Sequence, residues 1–415
     1  MKSRREFLKG AVSALAVAGG ALLVPKWVMA GDRYPVAPMP LTENNIHSST
    51  LETLPGKKPL IKRTFRAPNY ETPIEYFNDV ISPNDAFFVR WHLNNIPDDL
   101  TADNWRLKIG GESLQTPIEL TLTNLKNDYE HVEITALCMC SGNRRGLSQP
   151  HVAGVEWGYG AMGNATWKGV RLKDVLNKAG IKKDALEVML NGAEKGVLDA
   201  TPDFIKSLPM WKALDENTIL AFEMNGAPLP HMNGAPVRLI VPGWTATYWV
   251  KMITEINVVN KPVGGFWMQK AYRIPLGKFP EMDRFVSQEY TGENNTPITE
   301  IVVSSLITNI KDGQRFKHGE SIEVKGMAWD SGRGVNLLEV STDGGNSWQS
   351  ADLGKDHGNF SFRPWTFRFK PKGRGKYAVM AKASNRAGNT QVFELIWNPA
   401  GYHNNVVHKI DVVVA

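Results

Sequence analysis

The chain has 415 residues, 42% of them apolar and 22% charged, which suits a folded protein of two or three domains and excludes a disordered or low-complexity one. Its formal net charge is +6, but residues 1–30 hold five basic residues and one acidic, so the remainder carries +2 and is no nucleic-acid-binding polycation. Only two cysteines, Cys138 and Cys140, are present and no C-x-x-C-H run occurs, which excludes a disulfide framework and a covalently attached c-type haem.

Near the N-terminus, Arg4 and Arg5 stand side by side before an apolar run from Gly10 to Val24, and Val28-Met29-Ala30 offers small residues at a cleavage point. This pattern predicts a twin-arginine export signal over residues 1–30, read by a receptor, and hence a periplasmic protein exported folded. The apolar run is too short and weak for a stable membrane span. Residues 31–70, rich in Pro, Asn, Thr and Lys, read as an arm wrapping a surface. Asp85–Leu93 reads as a strand end or loop entry, in which Arg90 and His92 share a side if the backbone is extended.

Val132–Leu137 is a short apolar strand that delivers Cys140 to the loop Ser141-Gly142-Asn143-Arg144-Arg145. Cationic neighbours lower a cysteine's pKa, and a thiolate selects soft or transition metals, so this loop suits a metal ligand in an electropositive pocket that also takes an anion. The alternative is a pair of small buried hydrophobes, since free cysteine is often simply packed. A Cys138–Cys140 disulfide is not expected at this spacing.

Val170–Gly180 has the pattern of an amphipathic helix stopped by Gly180, and Pro202–Leu208 that of a short helical turn. Val237–Gly243 reads as a buried strand, with Trp249-Val250-Lys251 just beyond it. Strands and short helices without a βαβ rhythm predict an α+β domain over residues 31–292. A linker at Gly292–Pro297 then leads into a stretch of strands and turns, with a hairpin signal at Asp343-Gly344-Gly345-Asn346. Regular short strands with interior Trp329 and Trp348 predict an all-β immunoglobulin-like sandwich over residues 293–415.

Several motifs in this order resemble the sulfite oxidase family of molybdenum enzymes, most closely its exported bacterial sulfite dehydrogenases. They are Phe88-Val89-Arg90-x-His92, Cys140-x-Gly142-Asn143-Arg144-Arg145, Phe222-Glu223-Met224-Asn225-Gly226, Pro236-Val237-Arg238 and Val241-Pro242-Gly243. In the second domain, Glu339-Val340-Ser341-x-Asp343-Gly344-Gly345-x-x-Trp348 also fits. The resemblance covers nearly the whole chain past the signal.

It implies a sulfite-oxidase-type molybdopterin-binding domain with one molybdenum–molybdopterin cofactor per chain and no haem, followed by a dimerisation domain. Cys140 takes the position of the thiolate ligand to molybdenum, and Cys138 has no family role. Phe88, Val89, Arg90, Trp91 and His92 match a stretch lining the cofactor. Asn233 and Arg238 match contacts to its phosphate-bearing tail, and Trp249, Val250 and Lys251 match a third stretch. A further contact falls within Asn191–Gly196, where no single residue aligns. Arg90, Arg145 and Tyr272 match the anion-binding arginines and the active-site tyrosine; the residues alone also allow Tyr272 as a core aromatic. The implied activity is oxidation of sulfite to sulfate by oxygen-atom transfer, with electrons leaving to a separate acceptor such as a c-type cytochrome.

One departure stands out. Animal members place a further substrate-binding arginine in a Trp-Asn-x-Arg-Gly pattern, but here the run is Trp397-Asn398-Pro399-Ala400-Gly401. His403 or His408 is a candidate replacement for its charge. Two alternatives therefore stay open: a related molybdenum enzyme acting on a sulfoxide or sulfane, and a non-enzymatic exported binding protein.

Overall fold

A sheet of four short strands begins the structure and already carries part of the site. The computed structural model describes residues 50–275 and 295–415, so the expected export signal and half of the expected linker lie outside the described residues, while Asn295–Pro297 is a strand paired with Arg273–Pro275. The first sheet runs Leu51–Glu52, Leu60–Thr64, Asn69–Glu71 and Val89–Arg90 in spatial as well as chain order. The described part of the expected arm is therefore a set of sheet strands: Leu60 and Tyr70 are buried against Val89, Trp91 and Met252. The strands are only two to five residues long and Leu60-Ile61-Lys62-Arg63-Thr64 does not alternate, so no period marks them in the sequence.

Two larger sheets make the rest of the first domain. One has Ile253–Val259 at its centre, parallel to Leu107–Gly110 and antiparallel to Glu187–Gly192. The other places His131–Met139 beside Met162–Arg171, which pairs in turn with Ile219–Met224. Leu172–Ala179 is the expected amphipathic helix; it buries Leu172, Val175, Leu176 and Ala179 and stops at Gly180, whose φ is 80°. Pro202–Leu208 is not a helical turn: Lys206–Pro209 is an edge strand on Glu187–Gly192, and the short helix Met210–Ala213 starts after Pro209. Pairing with a neighbouring strand overrides the weak local helical signal there. Among the described residues of this domain, strands outnumber helices.

The second domain packs a four-stranded sheet against a five-stranded one. Between them lie Val324, Val340, Trp365, Val379 and Val412. The Asp343–Asn346 segment turns as expected between Val335–Ser341 and Gln349–Ser350, with Gly344 and Gly345 at φ 73° and 97°. Trp348 is not interior; it is half-buried on the outer side against Phe393 and Lys382, and Trp365 fills the space between the sheets. Trp329 is buried, but in a joint cluster in which Leu306, Met327 and Phe362 meet Phe77, Leu137 and Met162 of the first domain.

Candidate active site

Strand His131–Met139 ends where its last backbone bonds are taken over by a tight loop. Cys140 N donates to Ala161 O at 2.9 Å, Asn143 N to Cys140 O at 3.0 Å and Arg145 N to Gly142 O at 2.9 Å. Any side chain at Gly142 would meet the Arg145 guanidinium within 2.7 Å, so the glycine lets Arg145 fold over the loop. Arg144 has φ 68°, and this left-handed residue makes the two consecutive arginines diverge. Arg144 is buried and donates to Ser305 O at 2.8 Å and Val406 O at 3.0 Å in the second domain. Arg145 instead donates Nε to Ala400 O at 2.8 Å, and its guanidinium lies 5.2 Å from the centre of the Tyr402 ring.

The loop opens on a cleft. Phe88, Arg90, His92, Cys140, Asn233, Arg238, Lys251 and Tyr272 all line it, so eight residues singled out by sequence converge. Ser141, from the loop after Cys140, completes the lining with Met232, Ala246 and Thr247, which had no sequence signal of their own. Val89, Trp91, Trp249 and Val250 do not line the cleft but pack fully buried behind it. Trp91 supports the wall by donating to Met232 O and by lying 4.3 Å beneath the Lys251 ammonium.

Tyr272 sits in the left-handed region at φ 58°, an unfavourable conformation for a bulky residue that the surroundings impose. The preceding π-type turn Phe266–Lys270 is held by Lys206 on Trp267 O at 2.7 Å and by Arg273 on Met268 O at 2.9 Å. The Tyr272 hydroxyl then lies 3.2 Å from Arg90 Nη2 and within hydrogen-bond reach of His92 Nε2. Burial raises its pKa and Cys140 adds to that, while Arg90 and Arg145 oppose it.

Glu194 is the acidic hub of this wall and the residue of Asn191–Gly196 that reaches the cleft's supporting layer. Its carboxylate accepts from His92 N and Leu93 N, both at 3.0 Å, and from Lys251 Nζ at 3.3 Å. Burial alone would raise its pKa, but Lys251 and His92 hold it well below the usual carboxylate range. His92 is pushed well below its ordinary value by burial and by Arg90, which keeps the imidazole neutral. It stacks on Phe204 with ring centres 3.5 Å apart.

Two buried lysines beside the site, Lys57 and Lys206, were unforeseen, because nothing in a sequence separates them from surface lysines. Lys57 bonds Asn84 O, Phe87 O and Asn233 Oδ1, and burial brings its pKa down to about 7. Asn233 Nδ2 donates to Phe88 O at 3.0 Å, so its amide links Lys57 to the Phe88 backbone. Lys206 lies 4.7 Å and 5.2 Å from the ring centres of Tyr248 and Tyr272, and burial, aided by Arg273, brings it to about 7 as well.

Neither candidate histidine replaces the missing arginine. His403 bonds Glu300 O, and His408 accepts from Ile307 N at 3.0 Å within the second domain; burial lowers them to about 4 and about 3. Ala400 is buried with Tyr272 and Tyr402 in an apolar cluster.

The residues present fit a molybdenum cofactor. Arg238 Nε, Thr247 Oγ1, Ser141 Oγ and His92 Nδ1 are buried without a hydrogen-bond partner, and all four belong to residues lining this one cleft. Among the described residues no three His, Cys, Asp or Glu side chains cluster as a metal site. A metal here would take one protein thiolate, from Cys140, and its other ligands from an organic group whose anionic tail meets Arg238 and Lys251.

Comparison with known proteins agrees. Residues 93–267 match the family described as the oxidoreductase molybdopterin binding domain, and residues 295–415 the Mo-co oxidoreductase dimerisation domain. Mitochondrial sulfite oxidase of Homo sapiens is 32% identical over 98% of this chain and 78% of that protein. Sulfite oxidase of Arabidopsis thaliana is 30% identical over 86% of this chain and 94% of its own length. The crystal structure of the sulfane dehydrogenase SoxCD from Paracoccus pantotrophus shares the fold, with a TM-score of 0.70 and 23% identity over 93% of both chains. One buried cysteine at a cationic cleft with unsatisfied donors, in a chain 32% identical to a sulfite oxidase over 98% of its length, places this protein in the sulfite oxidase family of molybdenum oxidoreductases.

Proposed function

We propose that the protein oxidises sulfite to sulfate and passes the electrons to a separate acceptor such as a c-type cytochrome. The observation that carries this is the convergence of Cys140, Arg90 and Tyr272 on one cleft whose buried donors lack partners. The oxidation of sulfur compounds by its relatives supports the substrate class. The bound cofactor would supply the oxygen-atom transfer and the redox change.

The chain's own residues do the rest. Cys140 offers the thiolate. Arg90, its Nη1 tied to Asn69 Oδ1 and Trp91 O, brings Nη2 and a positive charge to the cleft for a compact oxyanion, and Arg145 adds charge from the side. The Tyr272 hydroxyl, held between Arg90 Nη2 and His92 Nε2, holds or gives a proton there, and the neutral imidazole can accept it. Phe88 and Met232 add apolar surface to the lining of the cleft.

The reading extends to the whole molecule. It makes residues 1–30 a twin-arginine signal, the location periplasmic, residues 31–292 an α+β catalytic domain and residues 293–415 an immunoglobulin-like sandwich that pairs two chains into a homodimer. It assigns one molybdenum cofactor and no haem to each chain. Metal and pterin analysis of purified protein, followed by stopped-flow reduction with sulfite, tests it. Reduction by sulfite at a rate supporting turnover is expected; a loaded protein that ignores sulfite would overturn it.

A second reading is favoured by one observation. Ala400 and Tyr402 put apolar surface where animal relatives carry a cation, which suits a sulfane or sulfoxide with less charge. Turnover of a neutral sulfoxide in preference to sulfite would select that reading.

A further inference from the structure

The second domain sends one aromatic side chain into the active-site wall. Tyr402 follows Ala400 by two residues and is 4% exposed. Its ring lies parallel to that of Tyr272, with a 6° angle between planes and 5.9 Å between centres. Its ring also lies 5.2 Å from the Arg145 guanidinium carbon, while Arg145 Nε is tied to Ala400 O at 2.8 Å. The loop bearing it is rigid, because the Asn398 side chain accepts from Tyr402 N at 3.1 Å and donates to Tyr402 O at 2.7 Å.

We propose that Tyr402 is a positioning residue that fixes Tyr272 and Arg145 together and so sets how strongly the pocket holds an oxyanion. The inference rests on Arg145 and Tyr272 serving the substrate anion. Its physical basis is the ring's two contacts. The ring quadrupole attracts the guanidinium, and this attraction is strongest where water is excluded. The parallel stack also limits swinging of the Tyr272 ring, whose backbone is already held at φ 58°. Arg145 uses Nε on Ala400 O and Nη1 on Val155 O at 3.3 Å, which leaves Nη2 without a partner among the described residues. Tyr402 thus orients a guanidinium with a donor to spare, in place of a second cation from the same segment.

The test is a double-mutant cycle on the loaded protein, with sulfate as the anion probe and calorimetric affinity as the readout. Tyr402→Leu should weaken sulfate binding on the order of tenfold, the scale of one desolvated cation–π contact. In an Arg145→Gln background the same change should have almost no further effect. Tyr402→Phe should behave like the parent, since the ring acts and the hydroxyl does not. Equal weakening in both backgrounds, no weakening at all, or a Phe variant as poor as the Leu variant would each overturn the proposal. Should Tyr402→Leu not fold, Tyr402→Met fills the same core space without a π face and enters the cycle instead. A parent protein that holds molybdenum yet binds no sulfate would overturn the oxyanion reading itself and is distinguishable at once.

Discussion

Arg238 Nη2 lies 3.3 Å from Cys138 Sγ, so the cysteine without a family role touches the guanidinium that lines the cleft. Positions 138 and 140, two apart along an extended chain, lie on one side, Cys138 against Arg238 and Cys140 in the cleft lining. Burial raises the Cys138 pKa against the pull of Arg238 and Lys251, which keeps it a neutral acceptor. Both cysteines are buried and free.

The two cysteines should therefore fail differently. Cys140→Ser should give a folded protein without turnover. Cys138→Ser keeps an acceptor for Arg238 and should be mild. Cys138→Val keeps the volume but leaves Nη2 unpaired, and should lower the pterin content of purified protein. Equal loss of activity in the two serine variants would defeat the assignment of Cys140.

Arg90 and Tyr272 should separate binding from chemistry. Arg90→Gln retains a donor but loses charge and fork, so KM for sulfite should rise with a total loss of about 2–4 kcal/mol in kcat/KM. Tyr272→Phe should lower kcat with KM nearly unchanged. An unaltered KM in Arg90→Gln would contradict the role given to that guanidinium.

Lys206 should leave its mark on stability against pH. Its folded value of about 7 lies below an unfolded value near 10.4. Below pH 7 both states are protonated and the full burial penalty is present. Between pH 7 and 10 the unfolded chain holds a proton that the native one lacks, so stability should rise with pH. The difference corresponds to about 4–5 kcal/mol at most, at about 1.4 kcal/mol per unit. Lys206→Met should therefore raise the denaturation midpoint at pH 6 and raise it less at pH 9. A variant less stable than the parent at pH 6 would show that the bond to Trp267 O outweighs the buried charge.

Arg144 should matter to folding. Removing it leaves Ser305 O and Val406 O buried without a donor, and Arg144→Met should lower unfolding free energy by about 2–4 kcal/mol in urea titration. A change below about 0.5 kcal/mol would mean that solvent replaces those bonds.

What is legible in the sequence follows physical distinctiveness. Helix Leu172–Ala179 announces itself by apolar spacing and a terminal glycine, and Cys140 by its rarity beside two arginines. Residues Phe88 to His92 carry a motif, though only alternate members face the cleft, as an extended segment requires. Lys57 and Lys206 are opposite cases, since only tertiary packing turns an ordinary lysine into a buried one. Glu194 lies in a stretch where the sequence offers a contact but no way to choose its residue. Lys206–Pro209 shows the same limit for secondary structure, because its partner strand is remote in the chain. Trp348 and Trp365 exchange places for that reason too: period alone does not say which face of a sheet is covered.

The divergence of Arg144 and Arg145 bears on how such proteins can be recombined. One loop anchors the cleft-lining thiol of Cys140, an arginine bonded to Ala400 O and an arginine locked into the neighbouring domain. Asn404 Nδ2 closes the lock on Arg144 O at 3.1 Å. A chimera that joins this first domain to another relative's second domain would change the backbone against which the Cys140 loop is moulded. Grafts that carry residues 398–406 with their own loop should keep activity, and crossovers at the linker alone should lose it even when both halves fold.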